Sequence, residues 1–157
     1  MLAEVRPPAS VERDGRLKVL VVEDNEAVTR ILRFCLREAG FDATAVSMGG
    51  EALRILQQAP PNAVLLDLQL PDGQGGAVLD WLRRSNERTT DSPVWVVMSA
   101  LDQETATQRF GPLGSRFLPK PFDPWELVAM LRTLILLKEQ PEQPSLPRGK
   151  PMTDGRE

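Results

Sequence analysis

Ala63-Val64-Leu65-Leu66-Asp67 is a short apolar run closed by one carboxylate, and Leu68-Gln69-Leu70-Pro71-Asp72-Gly73-Gln74-Gly75-Gly76 follows it as a loop dense in turn formers. An apolar run of this length bounded by turn signals reads as a buried strand. Other runs end the same way. Leu17 to Val22 leads into Glu23-Asp24, Val94 to Met98 into Ser99-Ala100, and Phe117-Leu118 into Pro119-Lys120-Pro121. Phe41 to Val46 is a weaker fifth strand. In an open parallel sheet the ligand crevice lies beyond the carboxyl ends of the strands, so these chemical groups are expected to converge on one site.

Helical patterns fill the intervals. The first starts after Asn25, an N-cap, stops at Gly40, and is expected to bury Val28, Ile31, Leu32, Cys35 and Leu36. A second covers Glu51 to Gln58 before Pro60-Pro61, and a third carries Val78, Leu79, Trp81 and Leu82, with Ser85 to Pro93 read as a connection. Asp102 to Phe110 is a short fourth, ended by Gly111-Pro112. The fifth opens on Asp123-Pro124-Trp125-Glu126, which combines an N-cap, proline at the first helical position and a reciprocal capping glutamate, and runs to about Lys138. Five strands alternating with five helices specify an α/β fold: a doubly wound five-stranded parallel sheet, flavodoxin-like, with strand order 2-1-3-4-5 and right-handed crossovers.

The 157 residues allow one domain and 41% apolar content supports a core. We divide the chain into a flexible leader (1–16), one folded domain (17–139) and a proline-rich flexible tail (140–157). Net charge of -3 without a Lys/Arg cluster argues against direct nucleic-acid binding. Nothing in 1–16 resembles a signal peptide or membrane anchor, which makes a cytoplasmic location the default expectation. Cys35 is the lone cysteine, placed on an apolar helix face as a structural thiol. The sequence contains no histidine, so any histidine chemistry must come from a partner.

Three acids, a hydroxyl and a lysine at strand ends suit Mg2+ and a phosphoryl group. Mg2+ takes oxygen ligands at about 2.0–2.1 Å and is commonly held by one or two carboxylates, waters and phosphate oxygens. Asp24 and Asp67 can supply the carboxylates, Glu23 can bind through water, and a backbone carbonyl just after Asp67, that of Gln69, can complete the site. Phosphoryl transfer needs in-line placement and charge stabilisation, for which Lys120 offers a point charge and Ser99 a hydrogen bond.

With Val-Val-Glu23-Asp24, Leu-Leu-Asp67-Leu-Gln-Leu-Pro-Asp-Gly, Met-Ser99-Ala100 and Phe-Leu-Pro-Lys120-Pro121-Phe122 in this order, the chain resembles a response-regulator receiver domain of two-component signalling, in the CheY-like superfamily, over roughly Leu17 to Lys138. The resemblance implies that Asp67 is the phosphoacceptor, that Glu23, Asp24, Asp67 and the Gln69 carbonyl hold Mg2+, and that Ser99, Ala100 and Lys120 bind the phosphoryl group. It also implies switch roles for Ser99 and Phe117 and a cis peptide between Lys120 and Pro121. The implied donor is a sensor histidine kinase or histidine phosphotransfer protein. The implied output is a downstream protein or a second copy, met through the fourth helix, fifth strand and fifth helix. Such a domain is a phosphoacceptor switch, with at most intrinsic self-phosphorylation and dephosphorylation.

Some positions depart from the common pattern. Serine stands at 99 where threonine is frequent, and phenylalanine at 117 where tyrosine is frequent, so coupling there must rely on packing. Gly111 to Arg116 lacks the aspartates that winged-helix relatives carry, and Met130 stands where they place an arginine, so their charged dimer interface is not expected. The last helix instead has two apolar stripes, Leu127, Met130, Leu134, Leu137 and Val128, Leu131, Ile135, open to core packing or to a partner. Two alternatives remain. A haloacid-dehalogenase-like phosphatase would carry a second Asp two residues after the nucleophile, where this chain has Gln69; the chain is otherwise a stand-alone receiver or a fragment of a larger regulator whose output domain is missing.

Overall fold

The computed structural model describes residues 15–88 and 92–139. The leader and tail assignments therefore fall almost wholly outside the described residues. Five strands, β1 (Lys18–Val22), β2 (Asp42–Val46), β3 (Ala63–Asp67), β4 (Val94–Ser99) and β5 (Phe117–Pro119), form one parallel sheet in the order β2-β1-β3-β4-β5. Five helices join or follow them: α1 (Glu26–Glu38), α2 (Gly49–Gln58), α3 (Gly75–Arg88), α4 (Gln103–Phe110) and α5 (Pro124–Glu139). The doubly wound architecture is the one read from the alternating runs.

Strand side chains alternate between two cores. Val19, Val21, Leu65, Val96, Met98 and Leu118 face a layer that contains α1 and α5 residues, among them Leu32, Leu36, Leu127 and Leu131. Leu20, Val22, Val64, Leu66, Trp95, Val97 and Phe117 face the opposite layer, with Ala52, Leu56, Leu79, Leu82 and Ala106 from α2, α3 and α4. Central strands buried on both faces explain why their sequences are continuously apolar instead of alternating. Each fully buried Leu or Val contributes about 2 kcal/mol relative to exposure, so these two layers dominate folding.

Several boundaries move. The stretch beginning at Ser85, read as a connection, is still helical to Arg88, because the run of polar residues there carries no apolar period from which a helix could be read. α2 starts two residues before Glu51, at Gly49. Its N-cap residue Met48 makes no side-chain cap, and Asp72 from the β3–α3 loop accepts from Gly49 N (3.2 Å) and Gly50 N (3.0 Å) instead. These bonds, that from Gly50 first, hold the Asp72 carboxyl below its ordinary pKa. Ile31, expected in the core, is half exposed, since the apolar arc of α1 is wider than the sheet and α5 can cover. On α5, Leu127, Val128, Leu131 and Ile135 are buried, Met130 and Leu134 pack partly against the same core, and Leu136 and Leu137 are exposed. The sheet layer thus covers most of both stripes and leaves the C-terminal turn of α5 open.

Gly75 illustrates how closely the loop after Asp67 is folded back. A Cβ there would lie 2.2 Å from the Leu68 carbonyl oxygen, a backbone atom that cannot rotate away. Gly75→Ala is expected to cost about 3 kcal/mol and to lower Tm by roughly 10 °C in a thermal melt.

Candidate functional site

Register brings the strand ends together. Val22 pairs with Leu66, Asp67 with Met98 and Ser99 with Pro119, so Glu23, Asp67, Ser99 and Lys120 emerge side by side at the carboxyl edge. Carboxylate oxygens of Glu23, Asp24 and Asp67 lie within 4.8 Å of one another. Glu23 and Asp67 are 2% and 4% exposed, whereas Asp24 is open to solvent. A buried pair beside an exposed acid makes a cup with one wet side.

Lys120 closes the cup. Its Nζ donates to Glu23 Oε2 at 2.7 Å and to Asp67 Oδ2 at 3.0 Å. The second oxygen of each acid is held by backbone: Gln69 N donates to Asp67 Oδ1 (2.9 Å) and Asn25 N to Glu23 Oε1 (3.2 Å). Asn25 also caps α1 through Ala27 N and Val28 N, so the cap that ends the β1–α1 loop fixes Glu23 as well. Ser99 is wholly buried, its Oγ accepting from Leu101 N at 3.0 Å, and Ala100 beside it is exposed. Lys120 N donates to the Ser99 carbonyl at 2.8 Å, tying β5 to β4 at the site edge. The Lys120-Pro121 peptide is cis. Phe117 lies inside the α3/α4 layer, 8% exposed, next to Arg116, whose guanidinium stacks 4.5 Å above the Trp95 ring.

The charges do not balance: three carboxylates face one ammonium. Burial pushes the Glu23 carboxyl above its ordinary pKa; the Lys120 hydrogen bond offsets part of this, and the Asp67 charge adds to it. Burial also works against the Lys120 ammonium, but hydrogen bonds to Glu23 and Asp67 outweigh it and hold its pKa above the ordinary lysine value. A hard-oxygen donor set with excess negative charge fits a small divalent cation such as Mg2+.

The sign of the pH dependence follows. A carboxyl whose folded pKa is raised contributes stability below its ordinary value, and that contribution is lost as pH rises through the folded value. In chelator, wild-type Tm is therefore expected to fall, relative to Glu23→Gln, as pH climbs from the ordinary glutamate value. Added Mg2+ should reverse the trend by binding the ionised form, and thermal melts across pH check both. The raised Lys120 value acts only in the alkaline range, where its contribution disappears above the folded pKa.

Every residue singled out from the strand ends is at this edge except Phe117, which is one layer deeper at the start of β5. Two residues not singled out also shape the surroundings. Asp72 joins the loop after β3 to α2. Arg83 on α3 bonds the Phe110 carbonyl and, at 2.8 Å, the Pro112 carbonyl. Asp72 looks like any turn aspartate in the sequence, and Arg83 like any surface arginine, because their partners lie more than 20 residues away.

An α/β domain with acids and a lysine clustered at the carboxyl ends of a 2-1-3-4-5 sheet is a signal-receiver architecture. Residues 19–132 match the response regulator receiver domain, and the chain belongs to that family of two-component signalling domains. Members of this kind are switches rather than conventional enzymes. Similar curated proteins include the DNA-binding dual master transcriptional regulator RpaA of Synechocystis sp., 34% identical over 119 residues that make up 75% of this chain and 48% of that protein. The DNA-binding response regulator MtrA of Mycolicibacterium smegmatis is 34% identical over 126 residues, 79% of this chain and 53% of that protein. The chain thus spans about half the length of the curated relatives it matches. Among solved structures, the Francisella response regulator 1452 receiver domain superposes with a TM-score of 0.67 at 27% identity, covering 79% of this chain and 100% of that one. Among the described residues no helix is long and apolar enough to cross a membrane.

Proposed function

We propose that Asp67 accepts a phosphoryl group from a phosphohistidine donor, a sensor histidine kinase or histidine phosphotransfer protein, and that this changes the surface offered to an output partner. The observation that carries the reading is the bridge of Lys120 Nζ between Glu23 Oε2 and Asp67 Oδ2. A donor bound across two acids can stay with one and turn to an arriving phosphoryl oxygen.

An oxygen of Asp67 attacks phosphorus in line, the P–N bond to the donor imidazole breaks, and an acyl phosphate forms on Asp67. Backbone donation from Gln69 N orients the nucleophile, while Lys120 takes up charge on the transferred group. Glu23, Asp24 and Asp67, with the Gln69 carbonyl, would hold Mg2+, which when bound would neutralise the acids and the developing phosphoryl charge. Ser99 turns its hydroxyl from the Leu101 amide toward the new phosphate, the Ala100 amide joins it, and Phe117 follows by packing. The lifetime of the mark is limited because acyl phosphates hydrolyse.

Output passes through α4, β5 and α5 to a downstream protein or a second copy, with no direct nucleic-acid contact by this chain, and the setting is the cytoplasm. Incubation with acetyl phosphate and Mg2+, followed by intact-mass analysis, tests the reading. A labile gain of one phosphoryl group is expected, and no gain, together with no binding of beryllofluoride, would overturn it. A haloacid-dehalogenase-like hydrolase is disfavoured because Gln69 supplies no acid where its second aspartate would stand.

A further inference from the structure

Arg83 spans 27 residues to grip the end of another helix. Its Nη1 donates to the carbonyl of Phe110, the last residue of α4, and its Nη2 to the carbonyl of Pro112 at 2.8 Å. Carbonyls at a helix C-terminus lack intrahelical partners and carry the negative end of the helix dipole, so a guanidinium fork suits them. The contact is closely fitted. Gly111 between them has φ of +85°, a conformation that favours glycine, and a Cβ there would sit 3.4 Å from Arg83 Nη1. Phe110 itself lies against Gly76 in the first turn of α3, where a Cβ would meet its ring at 3.4 Å.

The other end of α4 is held differently. Ser99, at the end of β4, accepts from Leu101 N, and Asp102 caps the helix through Thr105 N at 2.7 Å. The amino end of α4 is therefore tied to a residue of the phosphoryl site, and the carboxyl end to α3. We propose that Arg83 is a positioning residue that makes the carboxyl end of α4 a fixed pivot, so that when Ser99 lets go of Leu101 N the amino end swings about Gly111. This inference rests on the phosphoacceptor reading above, since it takes Ser99 as the group that responds. Without the grip, the same release lets the whole helix and the segment leading into β5 shift.

Amide NMR spectra of the full chain with Mg2+, with and without beryllofluoride, test it. In wild type, shift changes are expected to be concentrated at 99–106 and to fade by 109–113. In Arg83→Ala they are expected to extend through 109–113, and amide exchange of Gly111 and Leu113 to quicken by about tenfold even without beryllofluoride. Arg83→Lys, which keeps the charge and stem but reaches only one carbonyl at a time, should fall between and serves if the alanine variant fails to fold. Equal changes along all of α4 in wild type, or the same distribution in the variants as in wild type, would overturn the pivot. Absence of any change at Asp67 and Lys120 resonances would overturn the phosphoacceptor reading itself, and the pivot with it.

Discussion

Asp67→Asn should gain no labile phosphoryl mass from acetyl phosphate and Mg2+ under conditions in which wild type does. A carboxamide has no anionic oxygen to attack phosphorus, and no other acid at the site is both buried and terminal to a strand: Glu23 follows β1 and Asp24 is exposed. The loss should not come from unfolding. Replacing the carboxylate removes one hydrogen bond, to Lys120 or to Gln69 N, and also removes repulsion with the nearby Glu23. These effects oppose, and Tm in chelator should stay within about 4 °C of wild type. A variant that folds and still acquires the label would show that another residue is the acceptor.

Lys120→Met should have the second largest effect, and on two quantities at once. Its ammonium is the cation hydrogen-bonded to the two buried carboxylates. Removing one partner of a buried charged group leaves the other charge uncompensated, at a cost of about 3 kcal/mol. The loss should be measurable by urea unfolding at neutral pH in chelator, and smaller with Mg2+, which would neutralise the same oxygens. Phosphoryl uptake should slow by about a hundredfold, the scale of losing one preorganised donor to a developing charge. Lys120→Arg should restore stability better than rate, because a planar fork can pair the acids but cannot occupy the position of a compact ammonium. Equal uptake rates in wild type and Lys120→Met would remove the lysine from the chemistry and leave it a structural counter-ion.

Much of this molecule is readable from its runs and stops. Strand ends carry their chemistry in the last one or two residues, and a parallel sheet aligns those ends, so the convergence of Glu23, Asp67, Ser99 and Lys120 is written in the sequence itself. Asn25 and Gly40 bounded α1 correctly because caps are local events. The misreadings arose where the deciding contact is distant. α2 begins early because Asp72, from another loop, caps it; α3 continues past Ser85 although its last turn carries no apolar period. Ile31 follows the helical spacing of its buried neighbours, yet half of it remains in solvent beside Pro121 and Phe122. Periodicity reports which side of a helix is apolar, not how far the next element reaches to cover it.

The division of the core into two layers has a consequence for how this domain can vary. Ser99 shares its strand parity with Trp95 and Val97, and Phe117 packs on that same side, toward α3 and α4. Lys120 borders an apolar groove on the other side, lined by Val28, Ile31, Leu32, Phe122 and Pro124. The sheet is therefore a partition between the two sides, and at its carboxyl edge Ser99 and Lys120 bring them together. Substitutions can accumulate around α1 without repacking the α3 and α4 side, whereas Phe117 and Leu118 of β5 face opposite layers, so a change in either layer reaches that edge strand.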